Sequence, residues 1–383
     1  FALRAMSGVF SVSSLFFIYR FAQRFTDNWS KLFVLGVLAS SPFAIRYATE
    51  ARMYSLLVLL ILVAHLLIDK AWREPTPLRL FTVSCVTAAL LYTHYWSLFL
   101  IFSLGLALLI GVLRGEGEIV KKSKKLFLAV VGGVVSFLPW LPVFLEQLAH
   151  TGTPWSEAPR PTVVAALTLE SYGGGRGSEA LLVAVVVVAL AALGLFSRKQ
   201  RLGEELVVVL GQTHNVFLKI SAAIGALAML LGVLVSLIFD SAFQGRYGVF
   251  AFIPIVLAVG AGLSQLPRRT GIVLLVVLSL MSVISVAREL SRDRTQIGEI
   301  AAIIEKNGNV GDSVVFCPDQ LAPAAHRILG DEFNLYAYPT LDSGETVDWY
   351  DYEIRNTNSD PSKIAERILS LHIPEQSLWL IWN

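Results

Sequence analysis

The feature that most constrains this sequence is a succession of apolar segments, each close to the length of a membrane span. A helical span needs about 20 predominantly apolar residues, and ten segments meet or approach that length. They lie near residues 7–24, 32–47, 53–69, 79–93, 97–113, 126–148, 180–196, 216–239, 248–265 and 271–287. Only 16% of the 383 residues are charged, against about 25% in soluble proteins. We therefore predict a mainly α fold, a polytopic bundle of about ten transmembrane helices.

The lysine and arginine content of the connections alternates along the chain. Basic residues cluster in the connections within 20–31, 70–79, 114–125, 198–201 and 268–269. The connections between these clusters hold only Arg46, Arg52, Arg160, Arg176 and Arg246. Because cytoplasmic loops are enriched in Lys and Arg, we predict that the sparse connections face outward from an inner (cytoplasmic) membrane. The formal net charge of +2 gives no reason to expect a nucleic-acid partner.

The last part of the chain differs from the rest because it is polar and alternates helical with strand-like patterns. Helices are predicted near 295–306, 320–329 and 361–371, and strands at Ser313–Cys317 and Leu378–Trp382. We therefore divide the chain into a transmembrane domain, 1–288, and a small α/β domain, 289–383. An even number of spans places the second domain on the extracytoplasmic side. Its last strand coincides with the end of the sequence, which leaves open whether the domain is truncated.

The longest outward connection, 149–179, contains several prolines and the run Gly173–Gly175. Its length favours a functional or mobile loop over a tight turn. The glycines lack the strand and helix context of a phosphate-binding loop. We therefore predict that they provide flexibility.

A short polar stretch between the second and third apolar segments is the strongest candidate for a functional site. Arg46, Glu50, Arg52 and Tyr54 fall close together there, and charges in such a position are costly and usually functional. Paired arginines suit a phosphate, because a guanidinium forms forked hydrogen bonds and keeps its proton. The alternative is that they snorkel to lipid headgroups. Glu50 could be a base, a metal ligand or an orienter of Arg52, or could pair with Arg52 as plain structure.

Two later connections add candidates that face the same side. His94 lies among aromatic residues and either contacts a phosphate or sugar or belongs to an interfacial aromatic belt. Arg246 and Tyr247 open a late span. No His, Cys, Asp or Glu pattern demands a metal, so no metal ligand is assigned, although a divalent cation stays an option. If the connections meet, Arg46, Arg52 and Arg246 would hold the phosphate of one amphiphile.

The order of these motifs resembles a known family. Leu3-Arg4 opens the first segment, Ser41-Pro42 precedes Arg46-Tyr47, and then come Glu50-Ala51-Arg52-Met53-Tyr54, Tyr92-Thr93-His94-Tyr95 and Arg246-Tyr247. The series resembles the bacterial branch of the polyprenyl-phosphate-dependent membrane glycosyltransferases, which is allied to protein O-mannosyltransferases and the lipid A aminoarabinose transferase. The likeness covers roughly residues 3–290.

The resemblance implies a C-type glycosyltransferase fold and an enzyme that uses a sugar donor carried on a polyprenyl phosphate. It implies inverting transfer on the outer membrane face to an acceptor hydroxyl of a protein, lipid or polysaccharide. The family pattern assigns catalysis to Glu50 and Arg52, and binding of the donor phosphate or lipid to Arg46, Tyr54, His94, Arg246 and Tyr247. The family's catalytic aspartate follows its first span. Because this sequence opens at what resembles the second span, we expect that aspartate to precede Phe1.

Two other functions use the same features differently. A transporter or flippase of a lipid-linked sugar would use the arginines without chemistry, and such proteins often show broken helices at mid-membrane. A scaffold protein would use the helices only to anchor the polar domain. The gathering of polar residues at one face favours the enzyme.

Overall fold

In the computed structural model the chain is mainly helical, as predicted. The structure describes residues 2–23, 28–150, 160–175, 177–202, 205–211, 215–239, 243–291, 295–349 and 352–382. These fall into two compact units, which are described one at a time: Phe1–Leu141 with Ala158–Ser291, and Pro142–Glu157 with Arg292–Asn383.

The helices before the polar tail follow the apolar segments of the sequence, except for Pro161–Gly173, which lies within the predicted outward connection 149–179. In chain order they are α1 (Ala2–Ala22), α2 (Asn28–Ser40), α3 (Pro42–Ala48), α4 (Tyr54–Arg73), α5 (Pro77–Thr93), α6 (Ser97–Arg114), α7 (Glu118–Val135), α8 (Leu141–His150), α9 (Pro161–Gly173), α10 (Ser178–Phe196), α11 (Val216–Ile238), α12 (Val249–Gln265) and α13 (Arg268–Leu290). A short 3-10 turn, Leu138–Trp140, joins α7 to α8.

Fewer described helices have the length and hydropathy of a membrane span than the ten spans that we predicted. Among the described residues, eight helices are long and apolar enough to cross a membrane, or nine if α2 and α3 form one bent span. The shortfall arises at α5, which is apolar but only 17 residues long, because it begins at Pro77 and ends before His94. Several apolar helices of this kind are consistent with a multi-pass membrane protein.

A sharp break separates α2 from α3 where a single span was expected. Pro42 occupies the first turn of α3 and has no N–H to continue the ladder of α2. Ser41 caps the new helix by accepting a hydrogen bond from the N–H of Ala44 (3.4 Å). The two helices therefore meet at 52°. The break redirects the chain and places Arg46 in the last turn of α3.

Close packing of backbones holds the first unit together. A Cβ added to Gly194 of α10 would lie 2.0 Å from the carbonyl oxygen of Ala258, and one added to Gly262 of α12 would lie 1.9 Å from that of Leu190. Helices in lipid associate through such small residues, because the hydrophobic effect does not drive them together there. α12 is the most deeply buried of the candidate spans in the described part of the chain.

The run Gly173–Gly175 is not a flexible loop, and that prediction is wrong. It ends α9, with Gly174 in the left-handed region (φ +99°) and its N–H donating to Ser171. A Cβ on Gly174 would lie 2.7 Å from the Cβ of Pro42. The glycines are therefore needed where α9 approaches the break between α2 and α3.

A hairpin that the sequence did not indicate follows α10. Strands β1 (Ser197–Leu202) and β2 (Glu205–Leu210) pair antiparallel.

The second unit is a small α/β domain, which agrees with the predicted pattern. Its elements are α14 (Ile297–Asn307), β3 (Ser313–Cys317), α15 (Ala322–Leu329), β4 (Asn334–Ala337), α16 (Tyr352–Thr357), α17 (Pro361–Leu371) and β5 (Leu378–Trp382). The strands form a parallel sheet in the order β4-β3-β5. Val314 and Phe316 of the central strand are fully buried in a core with α14 and α15. β4 was not predicted, because four residues are too few to show a strand period.

Candidate functional site

The turn between α3 and α4 presents an ion network. Nε of Arg46 lies 3.3 Å from Oε1 of Glu50, and Nε of Arg52 lies 3.7 Å from Oε2 of the same carboxylate. Glu50 is only 4% exposed, whereas Arg46 is 31% and Arg52 54% exposed. Glu50 is therefore a buried carboxylate that ties two more accessible guanidinium groups together. Pairing of this kind is expected for an acid held away from water.

A second carboxylate joins this network from a helix that lies much later in the sequence. Oε1 of Glu289, in the last turn of α13, lies 3.3 Å from Nη1 of Arg46. The next residue back, Arg288, pairs with Glu179 at the start of α10 (2.6 Å). The sequence prediction missed Glu289, although it follows the last predicted span, at the end predicted to face the same side as the candidate arginines.

A series of rings continues from the ion network across the first unit. The ring centres of Tyr47 and Tyr54 are 4.7 Å apart, those of Tyr54 and His94 5.7 Å, and those of His94 and Tyr247 5.9 Å. Trp96 stacks on Tyr247 at 4.1 Å. The series joins the α3–α4 turn, the α5–α6 turn and the start of α12. The three predicted connections therefore meet at one end of the unit.

Arg246 enters the same region from the 3-10 turn Gly245–Gly248, which precedes α12. Its guanidinium lies close enough to act electrostatically on the phenols of both Tyr47 and Tyr54. No carboxylate partner of Arg246 lies among the described residues, which exclude 240–242.

The three guanidinium groups lie along one connected series of ion pairs and rings. Arg46 lies 6.0 Å from the ring centre of Tyr47 and shares Glu50 with Arg52, and Arg246 lies 5.6 Å from the ring centre of Tyr247. The charge of Arg46 interacts electrostatically with the phenol of Tyr47, that of Arg52 with the phenol of Tyr54, and that of Arg246 with both phenols. We call Arg46, Arg52, Arg246, Glu50 and Glu289 the arginine site. Such a gathering of guanidinium groups can bind an anion by charge-assisted hydrogen bonds.

His94 is a neutral member of this end of the unit. The backbone N–H of Trp96 donates to Nδ1 of His94 (3.1 Å), so the neutral ring carries its proton on Nε2. Burial, and then the charge of Arg246, lower the pKa of His94 to about 4. At neutral pH the ring therefore adds no charge to the site, and it offers a donor at Nε2.

Tight packing fixes the turn that carries Arg246. The hydroxyl of Tyr172 donates to the carbonyl oxygen of Gly248 (2.6 Å). A Cβ on Gly245 would lie 2.4 Å from the carbonyl oxygen of Leu167 in α9. On the other side, a Cβ on Gly232 of α11 would lie 2.4 Å from the ring of Trp96. The rings and the arginine are consequently held on rigid supports.

The structure brings all of the predicted site residues together. They are Arg46, Glu50, Arg52, Tyr54, His94, Arg246 and Tyr247. Arg46 and Arg52 both pair with Glu50. This pairing is what two of the four predicted alternatives for Glu50 require, namely orienting Arg52 and pairing with it as plain structure. The described residues contain no group of three or more His, Cys, Asp or Glu side chains arranged to hold a metal ion.

A small apolar cavity lies beside the break between α2 and α3. Its lining includes Ser41, Pro42, Tyr172, Phe252 and Ser282. None of the three arginines lines it. The aromatic residues of its wall lie next to Phe43, which packs on Tyr47 (4.8 Å).

The chain matches no model of a known protein family, and no curated protein sequence matches it. The described residues form a mainly helical protein with several helices apolar enough to cross a membrane, and the predicted site residues lie along one connected series of ion pairs and rings.

Proposed function

We propose that this protein transfers a sugar from a polyprenyl-phosphate donor to an acceptor hydroxyl on the outer face of a cytoplasmic membrane, with inversion at the anomeric carbon. The observation that carries the proposal is that one connected series of ion pairs and rings joins the three arginines. Arg46 and Arg52 share Glu50. The rings that begin at Tyr47 continue to Tyr247, over which Arg246 lies. The outward orientation of the site is the one indicated by the lysine and arginine content of the loops. The donor, the surrounding lipids and an acceptor glycan, lipid or protein are the partners that this reaction requires.

The arginines would act on the leaving group. As the acceptor oxygen bonds to the anomeric carbon, the bond from that carbon to the phosphate oxygen breaks and its electron pair leaves with the phosphate. Guanidinium groups that are already in place stabilise that charge as it grows. They accelerate the reaction only as far as they hold the transition state more tightly than the bound donor. Arg246 suits this role best, because no described carboxylate competes for it.

Glu50 acts in this proposal by orienting Arg46 and Arg52. A general base must reach the proton of the acceptor hydroxyl directly or through one water. Glu50 is 4% exposed and engaged by two guanidinium groups, and Glu289 is engaged by Arg46. We therefore assign the general base to neither carboxylate, and in this proposal the proton of the acceptor hydroxyl passes to water at the membrane face.

The rings would form the wall that receives the sugar and the upper part of the lipid. Tyr54, His94 and Tyr247 present aromatic faces and edges, with the Nε2 donor of His94 among them. Aromatic side chains combine a large apolar surface with a polar group that can bond to a hydroxyl.

One observation favours the second candidate, a flippase of a lipid-linked sugar. Broken helices are typical of transporters, and the 52° break at Ser41 lies directly before Arg46. The break leaves 13 residues in α2 and seven in α3, so it divides the span unequally. This asymmetry fits a support for a site at one face better than a site at mid-membrane.

The test is to incubate membranes that contain the full chain with a polyprenyl-phosphate sugar labelled in the sugar. Transfer predicts that the label moves from the lipid into the acceptor while free polyprenyl phosphate is released, and Arg246→Gln should reduce the rate about 100-fold or more. The matched control is Arg269→Gln, since Arg269 is an exposed arginine at the opposite end of α13 from Glu289. Movement of intact donor across the membrane without cleavage would favour the flippase. If the donor is neither cleaved nor moved across the membrane, both functions are rejected.

A further inference from the structure

Glu289 sets the charge of the arginine site. Among the described residues, the three guanidinium groups and two carboxylates of the arginine site sum to a single net positive charge, and the His94 ring is neutral. Glu50 is buried, whereas Glu289 is 23% exposed and binds the outermost nitrogen group of Arg46. Glu289 is therefore the carboxylate that an anion approaching Arg46 would meet first.

The position of Glu289 is built into the packing of the first unit. A Cβ on Gly175 would lie 3.1 Å from Oε2 of Glu289 and 3.9 Å from Nη1 of Arg46. Gly175 has φ +113°, a conformation that favours glycine. Two further contacts hold the C-terminal part of α13. Arg288 forms an ion pair with Glu179, and the hydroxyl of Ser285 donates to the carbonyl oxygen of Gly173 (2.7 Å).

The donor and the product of the proposed reaction differ in charge at this site. A polyprenyl-phosphate sugar is a phosphodiester and carries one negative charge. Once the sugar has left, the lipid is a phosphomonoester, which carries about 1.5 to 2 negative charges at pH 7. A carboxylate next to the phosphate therefore repels the product more strongly than the donor.

We propose, on the basis of the function above, that Glu289 is a specificity-determining residue that makes the arginine site prefer a phosphodiester to a phosphomonoester. It limits the site to one net positive charge, so the donor is held and the product lipid is released. With Glu289 neutral, the same arginines would retain the product. This role requires the charge of Glu289 and not only its hydrogen bond to Arg46.

The experiment measures equilibrium binding of two probes to the purified full chain in lipid nanodiscs at pH 7.5: a long-chain polyprenyl phosphate and its methyl diester. In Glu289→Gln we expect the diester to bind about fivefold and the monoester about twentyfold more tightly, which changes their ratio about fourfold. Glu289→Asp keeps the charge and should keep the wild-type ratio. Glu118→Gln removes an exposed carboxylate of α7 whose partner is Lys121, outside the arginine site, and should also leave the ratio unchanged.

The possible outcomes separate the two proposals. If the wild-type chain binds both probes and Arg246→Gln weakens both, but Glu289→Gln leaves their ratio unchanged, only the role of Glu289 is rejected. If Glu289→Gln weakens both probes equally, Glu289 merely supports the structure, and the proposal also fails. If the wild-type chain binds neither probe, the proposed function fails and the role of Glu289 fails with it.

Discussion

Replacing Glu50 by glutamine should weaken the α3–α4 turn mainly through the loss of its pairing with Arg46. Two unit charges at the observed 3.3 Å interact by about 5 kcal/mol at an effective dielectric constant of 20 and by about 1 kcal/mol in water. Arg46 is 31% exposed and keeps its pairing with Glu289. The interaction energy lost with the Glu50 charge should therefore lie closer to the value for water. The buried carboxylate also loses hydration on folding, and glutamine avoids most of that cost. We expect Glu50→Gln to lower the free energy of unfolding by about 1–3 kcal/mol.

The two arginines should not share this loss equally. Arg52 lies farther from Glu50, at 3.7 Å, and is 54% exposed, so water screens its pairing more strongly. In double-mutant cycles, we expect a coupling of about 1–2 kcal/mol between Glu50→Gln and Arg46→Gln, and below about 0.5 kcal/mol between Glu50→Gln and Arg52→Gln.

The assay is denaturant unfolding of the purified chain in micelles, under conditions in which it refolds. A control cycle on Glu118 and Lys121, an exposed pair within α7, should show no measurable coupling. If Arg52 couples to Glu50 as strongly as Arg46 does, or if neither couples, the ion network does not hold the turn and the reasoning is refuted.

Three further predictions concern packing and protonation. The pKa of His94 is about 4, against an ordinary 6.5, so the unfolded chain takes up a proton before the folded chain does. The free energy of unfolding should therefore fall by up to about 3 kcal/mol as the pH is lowered from 6.5 toward 4. In His94→Gln the midpoint of denaturant unfolding should depend less steeply on pH than in the wild type. Gly232→Ala places a methyl group against the ring of Trp96 and should cost about 1–3 kcal/mol, whereas Gly8→Ala, with one neighbouring atom at 3.9 Å, should unfold like the wild type. Gly262→Ala pushes the backbones of α10 and α12 apart. It should lower the yield of folded protein in detergent by more than Gly232→Ala or Gly8→Ala does. A yield equal to that of either of these variants would contradict the packing described.

The helices of the first unit were predictable because the information is local. Apolar runs of nearly span length determine where each helix lies, and the alternation of basic connections groups the loops into two sets. That grouping was enough to place Arg46, His94 and Arg246 on one side, and the ring contacts in the structure bring them together.

Other features depend on tertiary packing and have no local signal. The partner of Arg46 on α13 is separated from it by most of the sequence, so only the folded bundle reveals the pair. The break at Ser41 could have been suggested by the Ser41-Pro42 pair, which is typical of a helix start, but the apolar run across it concealed the boundary. The glycines after α9 indicated flexibility by composition, and the structure uses them for close approach.

The most direct test of the central claim, that guanidinium groups from distant parts of the chain surround one lipid phosphate, is photolabelling. The probe is a polyprenyl phosphate with a photoreactive group on the carbon next to the phosphate, and mass spectrometry maps its adducts on the full chain in membranes. Adducts should appear both within residues 46–54 and within 245–250, and excess unlabelled polyprenyl phosphate should abolish them. Adducts confined to one of these segments, or found around Arg268 and Arg269 at the other end of α13, would contradict the claim.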